Sequence, residues 1–212
     1  MAIVNQASAT LENTDIHSNA GPGVAVGGKG TKAVLTNNRI HDGEREGALL
    51  FDGAKATLIN NGICSNTGEG VLLEGVGTES VVRGNTIYDG KRGGLAATNH
   101  ASATLENNTI TSNDFSGVLV YDHSTATLTG NTIKGNGQAK IERTEEEIRC
   151  LPTKMAALYK KAIITHCPGG GVQVVEHSTI TMPPGSNTIE GNGRVGHSVV
   201  QWMLDETSNR NV

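Results

Sequence analysis

The residues of this sequence best suited to chemistry are histidines and carboxylates, and they recur at regular intervals. His100 and His123 lie 23 residues apart, and His177 holds the same place after a longer interval. Asp122 and Glu176 precede two of the three. If the interval is a structural repeat, the imidazoles stand in a row about 5 Å apart. Such a row could hold a metal ion or titrate near neutral pH. Three like rings in a straight line do not converge on one point, so a solvated ladder is the favoured reading. His100, His123 and His177 are the only metal candidates, and no cofactor is expected. His17 and His41 make a second outward pair. Glu74 is the one carboxylate in an otherwise apolar series, whereas acid–base cleavage of a glycosidic bond calls for two. No residue is assigned a catalytic role.

The elements that position these side chains follow from an internal repeat. Its frame reads Leu-x-x-Asn-x-Ile, a turn with Asn or Gly, then Gly-Val-x-Val. The anchors Ile16, Ile40, Ile63, Ile87, Ile110 and Ile133 are spaced by 24, 23, 24, 23 and 23 residues, and Ile189 follows after a long insertion. Five residues before each anchor stands Leu11, Leu35, Leu58, Val82, Leu105 or Leu128. After each anchor comes an i, i+2 pair such as Val24 and Val26, or Val71 and Leu73, which is strand period. One asparagine column reads Asn13, Asn38, Asn61, Asn85, Asn108, Asn131 and Asn187. A second alternates Asn and Gly: Asn19, Gly43, Asn66, Gly90, Asn113, Asn136 and Asn192. Both residue types tolerate left-handed backbone, and stacked asparagines can bond from coil to coil. The pattern predicts an all-β, right-handed parallel β-helix of about seven to eight coils of about 23 residues, the handedness following from the crossover rule.

Composition agrees. Of 212 residues, 28 are glycine and only 3% are aromatic, which suits thin coils sharing a narrow core. A net charge of −4 gives no basic face for nucleic acid. No apolar run is long enough for a membrane span. Three cysteines, Cys64, Cys150 and Cys167, and no visible leader point to a reducing, cytoplasmic or nuclear setting. The whole chain, 1–212, reads as one domain. Residues 139–169 break the pattern and predict a mostly helical insertion, with Thr144-Glu145-Glu146-Glu147 as a capping box. Residues 197–212 predict an apolar C-terminal cap. The N-terminal coil has no evident cap, which predicts a piece of a longer protein, or an end closed by a partner or by self-association through it.

The outward positions of the Gly-Val-x-Val strand are mostly apolar. Leu49, Phe51, Leu72, Glu74, Leu119 and Tyr121 form the expected binding face, with a protein as the expected partner. The repeats resemble the right-handed, pectate-lyase-like β-helix family, which includes polysaccharide lyases, hydrolases and epimerases. Ile40-His41-Asp42-Gly43 and the stretch from Thr98 to Glu106 are similar to the repeats of F-box only protein 11 and its relatives. The resemblance covers residues 1–138 and 170–195. It implies a non-catalytic substrate-recognition module of a larger, ubiquitin-ligase-type protein. The alternative is a carbohydrate-binding module or a polysaccharide-cleaving or epimerising enzyme. Asn13-Thr14-Asp15 is similar to the first polygalacturonase signature, but that family's Asp-Asp, Gly-His-Gly and Arg-Ile-Lys motifs do not follow.

Overall fold

Short β-prone segments, each closed by residues that accept a positive φ, cannot run on as long strands. They turn a corner every few residues. The computed structural model describes residues 1–137, 170–174 and 177–192. Each coil gives one strand to each of three parallel seven-stranded sheets. The first sheet runs through Ala2–Val4, Val24–Gly27, Ala48–Phe51, Val71–Glu74, Leu95–Thr98, Val118–Val120 and Val172–Val174. The second begins at Ser8–Glu12 and ends at Thr179–Thr181, and the third begins at Asp15–His17 and ends at Thr188–Glu190. Equivalent residues pair without slippage: Leu73 faces Leu50 and Ala97, Val82 faces Leu58 and Leu105, Ile87 faces Ile63 and Ile110. The expected solenoid is therefore present, and the described residues are all-β. The expected helical insertion at 139–169 and cap at 197–212 lie outside the described residues.

The inward columns are those set by the repeat. Ile40, Ile63, Ile87, Ile110 and Ile133 are fully buried, as are Leu35, Leu58, Leu105 and Leu128. The first coil is less enclosed, and Ile16 is only partly buried. One glycine column sets how closely the corners stack. A Cβ at Gly94 would lie 2.4 Å from Ile110 Cγ2 and 2.7 Å from the Gly117 carbonyl oxygen, so no larger residue fits there.

The two properties ascribed to the asparagines belong to different columns. Asn38, Asn61, Asn85, Asn108, Asn131 and Asn187 form a buried ladder in which each Oδ1 accepts from the backbone N–H one coil earlier. Each Nδ2 in turn donates to a carbonyl of the preceding coil, as Asn108 does to Val82 at 2.7 Å. Left-handed backbone sits one residue earlier, at Asn37, Asn60, Gly84, Asn107 and Gly130. Asn13, placed above in the ladder, belongs to this left-handed column with a φ of 52°, and Thr14 takes the first rung by donating its N–H to Asn38. A 25-residue step from Asn13 to Asn38, against 24 between the Ile anchors, is the mark of that offset. The second column works alike: Asn66, Asn113, Asn136 and Asn192 accept from Gly43, Gly90, Asn113 and Asn136.

Replacing Asn108 with Ala leaves the Asn85 N–H buried without its partner and removes the side-chain donor to the Val82 carbonyl. At about 1–3 kcal/mol for the orphaned N–H and about 1 kcal/mol for the lost bond to the carbonyl, the expected loss is about 2–4 kcal/mol. Ile110→Ala should cost about 2–5 kcal/mol through the cavity it opens. Urea denaturation of both variants measures these losses. An Asn108→Ala loss under about 1 kcal/mol, below the cost of a buried unpaired N–H and a lost hydrogen bond together, would contradict the ladder's structural role.

Candidate functional site

Three rows of side chains run along the outer face of the first sheet. The middle row is Ala25, Leu49, Leu72, Ala96, Leu119 and Gln173, and the distal row includes Phe51, Glu74, Thr98 and Tyr121. The strip expected from the sequence is present, but it is not openly exposed. Leu49, Phe51, Leu72 and Leu119 are half-buried, Tyr121 is 7% exposed and Ala96 is buried, while Glu74 is exposed. Among the described residues the exposed large hydrophobics are Met1, Val4, Val34 and Val76; of these Val4, paired with Gly27, begins the distal row.

The third row lies at the corner that leads into the strand, and it contains what the sequence reading missed. Glu46 and Glu69 occupy equivalent places in neighbouring coils, each directly before a column glycine; the Gly47 N–H donates to the Glu69 carbonyl. Both glutamates are 6% exposed, although most solenoid corners are solvated. Arg92, one coil further on, donates to both Glu69 oxygens, at 3.2 and 3.4 Å. Burial still outweighs the arginine and pushes the Glu69 carboxyl above its ordinary range, with the charge of Glu46 adding to the rise. Glu46 Oε2 is buried with no hydrogen-bond partner; the Arg45 Nε lies 3.4 Å away as an ion pair. Burial also raises the Tyr121 phenol, which bonds to Thr98 and feels the charges of Glu69 and Glu74. Thus the face holds two neighbouring buried carboxylates where the sequence offered Glu74 alone. The recurring Glu-Gly step, Glu46-Gly47 and Glu69-Gly70, was the available signal.

The histidines stand where the repeat puts them. The rings of His100, His123 and His177 stack at centroid distances of 5.0 and 5.1 Å, each on a left-handed residue. Among the described residues no three His, Cys, Asp or Glu side chains are arranged to hold a metal ion. His17 and His41 also stack, at 5.2 Å. His41 is buried between two carboxylates, with Nε2 at 2.8 Å from Asp15 and Nδ1 at 2.6 Å from Asp42. The next residues in that row are Cys64 and Tyr88, and the hydrogen bond between them is the largest cause that raises the Tyr88 phenol. The second sheet carries a shallow trough with Val34, Thr57, Val81 and Thr104 on its floor. On its wall Lys55 is paired with Glu79 at 2.8 Å. Neither place combines burial with an unsatisfied polar group, as the corner of Glu46 and Glu69 does.

The sequence model of the family described as right handed beta helix region matches residues 1–133 and 94–212. No curated protein matches the chain in sequence. Among solved structures, the periplasmic alginate epimerase AlgG is similar at 14% identity and a TM-score of 0.48, over 82% of this chain and 42% of that one. The A-module of the mannuronan C-5 epimerase AlgE6 of Azotobacter vinelandii is similar at 14% identity and a TM-score of 0.47, over 86% of this chain and 56% of that one. The A-module of AlgE4 from the same organism gives 13% and 0.45, over 86% and 57%. The chain thus spans about half the length of these structures, and at this level none of their activities passes to it.

The raised Glu69 carboxyl makes stability depend on pH with a definite sign. Below about pH 4.5, its ordinary value, Glu69 is protonated folded and unfolded and imposes no penalty. Above that, the unfolded chain ionises more readily than the folded one, so Glu69 destabilises increasingly until the folded group ionises too. Glu69→Gln stays neutral and can still accept from Arg92. Its stability relative to the parent should therefore increase as the pH rises above about 4.5, read as thermal midpoints of both proteins. A difference that does not change with pH contradicts the assignment.

Proposed function

Because this chain belongs to the right-handed β-helix family, we propose that it binds and acts on a carbohydrate polymer laid along the outer face of the first sheet. The observation that carries this reading is the corner where Glu46, Glu69 and Arg92 meet, buried beside a half-buried aliphatic strip. A sugar ring presents apolar C–H faces and a rim of hydroxyls. The middle row offers Leu49, Leu72 and Leu119 to the first, and the flanking rows offer the exposed Glu74 carboxylate and the half-buried Arg92 guanidinium to the second. The rows follow the solenoid axis at a pitch of about 4.8 Å, so one extended polymer meets equivalent positions in successive coils. Carboxylates with differing environments are the means by which acid and base roles are divided at one pH.

The second reading is the non-catalytic recognition module, of the kind the F-box only protein 11 repeats imply. It is favoured by the half-buried row of Leu49, Phe51, Leu72 and Leu119. It is the weaker reading because Tyr121, which should anchor a partner, is buried. A protein interface of this size also calls for no pair of buried glutamates.

Affinity electrophoresis through gels containing single polysaccharides, neutral and uronic, tests the first reading. At least one polymer should retard the protein, and Leu72→Asp combined with Leu119→Asp should abolish the retardation with folding unchanged. If no polymer retards it, while the same double variant loses partners captured from cell extract, the recognition module is the better account.

A further inference from the structure

We propose that Phe51 is a sugar-stacking platform on this face, receiving the C–H face of a neutral, all-equatorial pyranose whose rim hydroxyls bond to Glu74. This rests on the carbohydrate reading of the first sheet's face and names the sugar class and the residue that selects it. The geometry begins one coil earlier, at Gly27, which pairs with Phe51. A Cβ built on Gly27 would lie 2.5 Å from both Cε1 and Cε2 of Phe51, and nearer still to Cζ though well beyond bonding distance of it. A point in the plane of the ring, beyond Cζ, cannot come so close to both Cε atoms without falling within a bond length of Cζ. The glycine therefore lies under the face of the ring, not at its edge. Side chains on a strand ordinarily stand off the sheet. Phe51 instead leans along the solenoid axis and covers the neighbouring coil, where only a residue without a Cβ leaves room for it.

Covered by Gly27 on one side, Phe51 is still only half-buried, so its other face is turned to solvent. Tyr121, further along the same row, is 7% exposed and offers no such face. The surroundings of the ring select the occupant. Beyond Gly27, Val4 is 38% exposed and extends the apolar area. On the opposite side Glu74 pairs with Phe51 and is exposed, and its carboxylate is in none of the ion pairs among the described residues. An aromatic face with an acceptor at its edge is complementary to a pyranose, which carries C–H groups on its faces and hydroxyl donors on its rim. Asp52, next to Phe51, is also exposed, against one exposed cation at the neighbouring corner, Lys29. That surplus of negative charge repels a uronate and leaves an uncharged sugar unaffected. A ring with equatorial substituents can lie flat on the platform, whereas an axial hydroxyl on the stacked face holds the two rings apart.

The test measures binding of the full chain to soluble β-glucan, xylan and polyuronates by affinity electrophoresis, and follows the proton spectra of gluco- and xylo-oligosaccharides titrated with it. The expected result is retardation by β-glucan or xylan, with upfield shifts of the axial ring protons, as protons held over an aromatic face show. Phe51→Leu keeps an apolar side chain without the flat face. It should weaken binding about 3–10-fold and remove the upfield shifts, while Phe51→Trp should keep both. Gly27→Ala forces the ring off the glycine and should weaken binding to a similar degree, yet add nothing in the Phe51→Leu background. A side chain that merely fills space would produce neither the ring shifts nor this non-additivity. Circular dichroism verifies that each variant keeps its fold. Undiminished binding by Phe51→Leu, or retardation by polyuronates alone, would overturn this assignment and leave the carbohydrate reading standing. If no polymer retards the chain, both fall.

Discussion

Everything in this molecule depends on coil-to-coil registration, and the asparagine ladder is the interaction that enforces it. Each corner of a parallel solenoid turns backbone N–H and carbonyl groups toward a narrow interior without enough strand length to pair them all. A buried asparagine closes that gap with both ends of one side chain, accepting from the coil before it and donating back to a carbonyl there. A shift of one residue in any coil would break the bonds of two neighbours. With the ladder and the glycine column in place, the aliphatic interior can be built from Ile, Leu and Val with hardly an aromatic, because position rather than bulk brings the side chains together.

This regularity explains what the sequence made legible. Period-two pairs and evenly spaced Ile anchors placed the three sheets and the inward columns, and the even beat placed the histidine stacks at about their observed separation. Less visible was which asparagine does what. Left-handed tolerance and ladder bonding both select Asn, and neighbouring columns satisfy them separately, so the irregular first coil put Asn13 in the wrong one.

The face chemistry was harder to read, for a physical reason. Strand alternation predicts inward or outward, but not how deeply an outward residue is enclosed. Tyr121 points outward and is buried; Glu46 and Glu69 stand at a corner, where polar residues are ordinarily solvated. This corner carries little signal beyond its glycine column and the Glu-Gly step of two coils, so a reading that followed the strands saw only Glu74. Tertiary enclosure raises the Glu69 carboxyl above its ordinary range, and no local pattern encodes it.

The repeated corner also has a hereditary consequence. Every coil offers its neighbours nearly the same upper and lower surface, so an in-frame duplication or deletion of one 23-residue unit lengthens or shortens the rod by one rung without disturbing the contacts of the others. Side chains at the corner, by contrast, differ from rung to rung: Pro22, Glu46, Glu69, Gly93 and Ser116 occupy one position. The scaffold can thus change length by whole steps while the outward residues drift independently. In such a protein lineage, the interior records how many units there are, and only the corners record what has been selected.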